Sequence, residues 1–273
     1  MISANRTKQK LEAGEVVFGS EIMFPSADVV EILGFAGLDF IYLDTEHSAS
    51  THESIAHMIR AAEISGITPL VRIPAQPAGQ YAGTILRLLD LGTMGVIVPH
   101  VDSREKAEAV VEAVKYRPRG NRGMFDVGRQ SGYGFRLPGP EYVRKSNEET
   151  LVVVMVESVE ALDRLDDILG VEGVDVVQIG TSDLSQSMGF AGRLDAPPVV
   201  EAVERILAAA RRAGVAPGVG SFAGFPPELS ARFMAQGAQF VNIVTASLLT
   251  AGVRHWRGWL DGVREKAKEG VLP

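Results

Sequence analysis

Short, nearly unbroken apolar runs alternate with amphipathic stretches along this chain. The runs at residues 16–19, 40–43, 69–73, 95–98, 151–156, 175–179, 216–219 and 240–244 are rich in β-branched residues. Strands that are apolar at successive positions are buried on both faces, as parallel sheets require. Between and after them, residues 26–33, 52–65, 81–91, 103–115, 159–169, 198–213, 227–236 and 248–268 carry helical spacing. Eight strand–helix units predict an α/β fold, a single (β/α)8 TIM barrel spanning residues 1–273, with 1–13 as an N-terminal extension. Glycines 34, 37, 66, 92, 170, 173, 214 and 237 follow the helical stretches, where a left-handed residue ends a helix before the next strand.

One stretch breaks the rhythm. Residues 116–148 are long, glycine-containing and carry Arg117, Arg119, Arg122, Arg129 and Arg136. A loop of that length in a compact domain is either a solvated insertion or functional, here a basic lid over an anionic substrate.

Length and composition change this picture only by exclusion. The 273 residues suit one barrel, and 46% hydrophobic and 22% charged residues are ordinary globular usage. A net charge of −7 argues against nucleic acid or an anionic membrane as partner. No apolar run is long enough to span a bilayer, and Met1 to Glu15 has no apolar core of a signal peptide. The absence of cysteine removes disulfides, thiolate ligands and cysteine nucleophiles. A cytoplasmic protein is the expectation.

Chemistry is expected where the strands end, since barrel active sites occupy the C-terminal face. Glu157 and Asp183 each stand just past a strand and should emerge at one edge. Two oxygen ligands with open positions suit a hard divalent cation, Mg²⁺ or Mn²⁺. The other strand ends bring Asp44-Thr45-Glu46-His47, Arg72, Pro99-His100 and Gly180-Thr181-Ser182 to the same edge. Each has a plainer reading: Asp44 or Asp183 as a helix cap, Arg72 as an ion-pair partner. His52 and His57 lie on a helix without zinc-motif spacing, and His255 reads as structural. His47 differs, with carboxylates beside it that would raise its basicity. The string Gly218-Val219-Gly220-Ser221-Phe222-Ala223-Gly224 lacks dinucleotide spacing, and no P-loop string occurs. Small residues at Gly180-Thr181-Ser182 leave backbone N–H groups free to hold a carboxylate.

Seven pieces in this order resemble the HpcH/HpaI family of metal-dependent class II pyruvate aldolases. They are Leu43-Asp44-Thr45-Glu46-His47, Val71-Arg72-Ile73-Pro74, Leu89-Asp90-Leu91-Gly92, Val98-Pro99-His100-Val101, Val156-Glu157-Ser158, Ile179-Gly180-Thr181-Ser182-Asp183-Leu184-Ser185 and Met188-Gly189. The resemblance covers roughly residues 14–249. It implies a lyase that cleaves or forms 4-hydroxy-2-oxo acids through a pyruvate enolate, with pyruvate and an aldehyde as its small-molecule partners. It implies Glu157 and Asp183 as ligands of Mg²⁺ or Mn²⁺, with Co²⁺ a further candidate. It implies His47 as acid/base, oriented by Asp90 or Asp44, and Arg72 on the enolate oxygen. Gly180, Ser182 and Asp183 would hold the pyruvate carboxylate. It also implies a homo-oligomer, a hexamer or trimer of dimers, in which the last helix is exchanged between subunits.

Four positions depart from the family pattern: Thr45 for glycine, Met155 for glutamine, Thr181-Ser182 for Pro-Ala with added hydroxyls, and no acid within Val244-Thr245-Ala246-Ser247. Two other readings stay open: a malyl- or citramalyl-CoA-type lyase, hinted at by the arginines of the long loop, and a non-catalytic pyruvate- or oxalate-binding barrel.

Overall fold

The computed structural model describes residues 4–268. Eight parallel strands close into a barrel in sequence order. They are β1 (Val17–Ile22), β2 (Phe40–Asp44), β3 (Thr68–Arg72), β4 (Gly95–Val98), β5 (Leu151–Val156), β6 (Val176–Ile179), β7 (Ala216–Val219) and β8 (Phe240–Val244). β1 closes the ring by pairing β8, with Val17 opposite Phe240 and Glu21 opposite Val244.

The helices around the barrel are α2 (Ala27–Phe35), α3 (His52–Ser65), α4 (Tyr81–Asp90), α5 (Arg104–Val114), α7 (Val159–Asp163), α8 (Leu165–Leu169), α10 (Pro197–Ala213) and α11 (Pro227–Ala235). Side-chain caps start many of them. Ser26, Ser103 and Ser158 accept from the third residue on, and Thr51 and Ser54 form a reciprocal capping box. The stretch read as one helix at 159–169 is broken at Arg164, giving α7 and α8. Six of the eight cap glycines have positive φ; the exceptions are Gly34, inside α2, and Gly170. Gly34 is needed for close packing instead, because a Cβ there would lie 2.3 Å from Ser65 Oγ.

Two clusters form the core. The larger lies between strands and helices; the smaller fills the barrel, with Leu11, Val17, Phe40, Leu70, Val153 and Phe240. Phe40 and Phe240 stack with centroids 4.1 Å apart. Leu11 reaches this inner core from α1 (Arg6–Glu12), so the N-terminal extension is the plug of the barrel floor. Asn5 fastens it by donating to the carbonyls of Met94 and Glu149, and Thr7 donates to the carbonyl of Asp39.

The long segment at 116–148 contains a helical turn, Arg129–Ser131, and most of α6 (Gly139–Glu149). It docks at the N-terminal end of the barrel. Arg122 pairs with Asp90 at the end of α4, and Arg129 with Glu63 near the end of α3. Helix C-termini lie opposite the strand C-termini, so these arginines do not face the mouth of their own barrel. Two further helices are α9 (Thr181–Ser187) and α12 (Thr245–Lys268). Only Thr245 of α12 is buried, so this helix leaves its own barrel uncovered.

Candidate active site

The C-terminal mouth holds a cavity of about 330 Å³ lined by Arg72, His47, Glu21, Gln178, Asp183 and Asn242, among others. Arg72, last residue of β3, is its organising charge. Its Nε donates to Asp44 Oδ1 at 2.8 Å and lies 3.3 Å from Glu46 Oε2, and its Nη2 donates to Glu21 Oε1 at 3.0 Å. The guanidinium stands 5.0 Å over the Tyr42 ring. Nη1 has no hydrogen-bond partner among the described residues. Burial alone would raise the Asp44 carboxyl, but the Arg72 hydrogen bond and charge, with the amides of Glu46 and His47, hold it below the usual range. Glu21 goes the other way, since burial outweighs its Arg72 contact.

Asp44 also shapes the loop after β2. Its two oxygens accept from the backbone N–H groups of Glu46 and His47, both at 3.0 Å. Asp44 therefore fixes the backbone that carries His47, not the imidazole. The ring is exposed at the mouth, and its Nε2 lies 3.8 Å from Glu46 Oε2. Asp90 is not brought to His47 within one chain: it ends α4 at the opposite end of the barrel, paired with Arg122 at 2.7 Å.

Glu157 follows β5, directly before the α7 cap Ser158, and is buried. Its Oε1 accepts from the His100 amide at 2.6 Å, and His100 takes a left-handed φ of 53°. Burial, assisted by the negative charge of Asp183, raises its carboxyl above the ordinary value. A Cβ at Gly180 would lie 2.1 Å from Glu157 Oε2, so only glycine leaves room for this carboxylate. The amide of Gly180 donates to Val156 O and is not free for a ligand. Those of Ser182 and Asp183 start α9 without helical partners. The Thr181 hydroxyl donates to Gly220 O and adds no free group, contrary to the expectation that it would enrich the pocket.

At the mouth, Glu21, Asp44 and Glu46 face the Arg72 guanidinium, while Glu157 feels the negative charge of Asp183. Among the described residues no three His, Cys, Asp or Glu side chains form a self-contained metal cage. Glu157 and Asp183 offer only oxygen donors, and Asp183 lines the cavity, a set that fits a hard divalent cation that would take its remaining ligands from water and substrate. A cation there would also relieve the buried charge on Glu157.

The family model for HpcH/HpaI aldolase/citrate lyase matches residues 23–249, which includes these strand ends except Glu21. The chain belongs to the HpcH/HpaI aldolase/citrate lyase family. It is 36% identical over 270 residues to a hydroxypyruvate/pyruvate aldolase of Agrobacterium fabrum, covering 98% of this chain and 96% of that one. It is 34% identical to a 4-hydroxy-2-oxo-heptane-1,7-dioate aldolase of Shigella sonnei, covering 90% and 91%. Among solved structures, an HpcH/HpaI aldolase from Desulfitobacterium hafniense superposes with a TM-score of 0.81 at 32% identity, covering 97% of each chain.

The sequence pattern does not reveal four features of this mouth: Glu21, Gln178, Asn242 and the His100 amide. Glu21 fell outside a first strand read as ending at residue 19, although Val17, Gly19 and Glu21 alternate inward. Gln178 and Asn242 sat inside runs read as apolar. The His100 amide could not be foreseen, because a backbone conformation delivers it.

Proposed function

We propose that this chain is a divalent-metal-dependent aldolase, a carbon–carbon lyase acting on 4-hydroxy-2-oxo acids to give pyruvate and an aldehyde. The observation that carries this reading is the buried Glu157, pinned by the His100 amide and crowded against Gly180, with Asp183 beside it. Glu157 and Asp183 would hold Mg²⁺, Mn²⁺ or Co²⁺. When bound, such an ion supplies Lewis-acid stabilisation of negative charge on the 2-oxo acid.

The protein's own groups divide the remaining work. The amides of Ser182 and Asp183 bind the substrate carboxylate. His47, at the solvent edge of the mouth, takes the 4-hydroxyl proton as the C3–C4 bond breaks and the aldehyde leaves. Arg72 presents Nη1 to the developing enolate oxygen, held in place by Glu21, Asp44 and Glu46 before substrate arrives. Return of a proton to C3, from protonated His47 directly or through solvent, completes pyruvate and restores the base.

Of the loop arginines that hinted at a CoA-type alternative, Arg122 and Arg129 pair with Asp90 and Glu63 away from the mouth. Assembly into a homo-oligomer is part of the proposal. α12 exposes Leu249, Val253, Trp256 and Trp259, and the groove beside β1 and β8 leaves Phe18 half-exposed.

Cleavage of a 4-hydroxy-2-oxo acid, followed by pyruvate release, tests the reading. Activity should vanish with EDTA, return with Mn²⁺, and fall more than about a hundredfold in Glu157→Ala or Asp183→Ala, beyond the loss typical of an outer-shell partner. Full activity in EDTA would overturn it.

A further inference from the structure

The glycine string after β7 has no nucleotide-binding spacing, yet it has a structural cause. Gln178, on β6, extends over Gly218 and Gly220 to reach Asn242 on β8, its Nε2 donating to Asn242 Oδ1 at 3.0 Å. A Cβ at Gly218 would lie 2.1 Å from Gln178 Oε1, and one at Gly220 would lie 3.1 Å from Nε2. Both amides are buried, at 1% and 4% exposure, and both line the cavity at the mouth. Gln178 Oε1 is buried without a hydrogen-bond partner. Asn242 Nδ2 has no side-chain or backbone partner among the described residues either, but it is not sealed off as Gln178 Oε1 is, so it is the free atom of the pair open to the cavity.

A buried amide pair with unspent hydrogen-bonding capacity is costly unless something completes it. Flipping both amides keeps the bond between them and exchanges a donor for an acceptor at the cavity. A hydroxyl group, donor and acceptor at once, completes either arrangement. Pyruvate's methyl group completes neither. Gln178 and Gly180 are alternate residues of one chain face, so the amide pair lies one step deeper than the carboxylate-binding amides of α9. That depth belongs to the 2-oxo acid, since the aldehyde enters from solvent.

We propose that Asn242, held by Gln178 as its positioning residue, is a specificity-determining residue for a 2-oxo acid bearing a hydroxyl on C3, next to the ketone. The proposal rests on the aldolase reading and refines which donor that site takes. It assigns no step of the chemistry to either amide. Their effect is on the choice between donors.

The test compares hydroxypyruvate with pyruvate as donor, using propanal, which has no hydroxyl, as the common acceptor. Wild type, Asn242→Ala and Gln178→Met are assayed with Mn²⁺, and both donors are also titrated calorimetrically. The kcat/KM ratio of hydroxypyruvate to pyruvate should fall roughly tenfold in Asn242→Ala, with pyruvate turnover changed only a few-fold. Gln178→Met keeps the floor filled and should move the ratio the same way; it decides the matter if Asn242→Ala does not fold. If wild type binds both donors but turns over neither, the aldolase reading fails, while the binding ratios still judge the amide pair. An unchanged ratio in a folded variant overturns the proposal, and so does wild-type protein that binds neither donor.

Discussion

Arg72 shows how much of this site hangs on one side chain. Glu21, Asp44 and Glu46 all approach its guanidinium, and Asp44 is wholly buried. Its removal leaves buried carboxylates unpaired, which costs about 3–5 kcal/mol. Arg72→Met should therefore lose stability as well as turnover. The pH dependence has a definite sign. In wild type, Asp44 is held below its ordinary value, so its contribution is present above the unfolded pKa and lost as pH falls through the folded one. Without Arg72, burial raises the Asp44 carboxyl instead and leaves the already raised Glu21 without its opposing charge, so the folded state becomes the better proton binder. The stability deficit of Arg72→Met should thus shrink from about pH 7 to about pH 5 in urea titrations; a deficit independent of pH would contradict this. Most of the acidic residues here were legible, because strand ends mark them. Glu21 was not, since a polar residue in a first strand looks like the start of a loop.

At the scale of elements, apolar periodicity found the strands and the long helices because burial itself imposes that periodicity. The helices that escaped it are short or polar. α1 offers only Leu11 and Thr7 to the interior, and α6 is held by buried polar contacts rather than an apolar stripe. Lys115, just after α5, is one of those contacts. Its Nζ donates to the carbonyls of Asn147 at 2.9 Å and Thr150 at 2.7 Å, tying the end of α6 to the start of β5. Burial pushes this ammonium from 10.5 down to about 8. Between those values the unfolded chain holds a proton that the folded one has released, so the contribution of Lys115 to stability rises with pH. Denaturant melts of wild type should show that rise between about pH 8 and about pH 10.5. In Lys115→Met it should flatten; an identical slope in the variant would separate Lys115 from the effect.

For the whole molecule, the closed barrel turns eight separated strand ends into one mouth, which makes a site legible from sequence even when each motif is short. The ring brings Arg72, Glu157 and Asp183 together from three different strand–helix units. It carries Asp90 away, because a residue ending a helix lies at the other end of the barrel from one ending a strand. α12 belongs to this scale too: its exposed Leu249, Val253, Trp256 and Trp259 are the surface that the proposed homo-oligomer would cover. The central claim is that Glu157 and Asp183 hold a metal that lets the site form an enolate of pyruvate. Exchange of pyruvate methyl protons with D₂O, followed by NMR without any aldehyde, reads that step directly. Exchange should require Mg²⁺ or Mn²⁺, stop with EDTA, and be lost in Asp183→Asn. Exchange that persists in EDTA, or at wild-type rate in Asp183→Asn, would contradict the account.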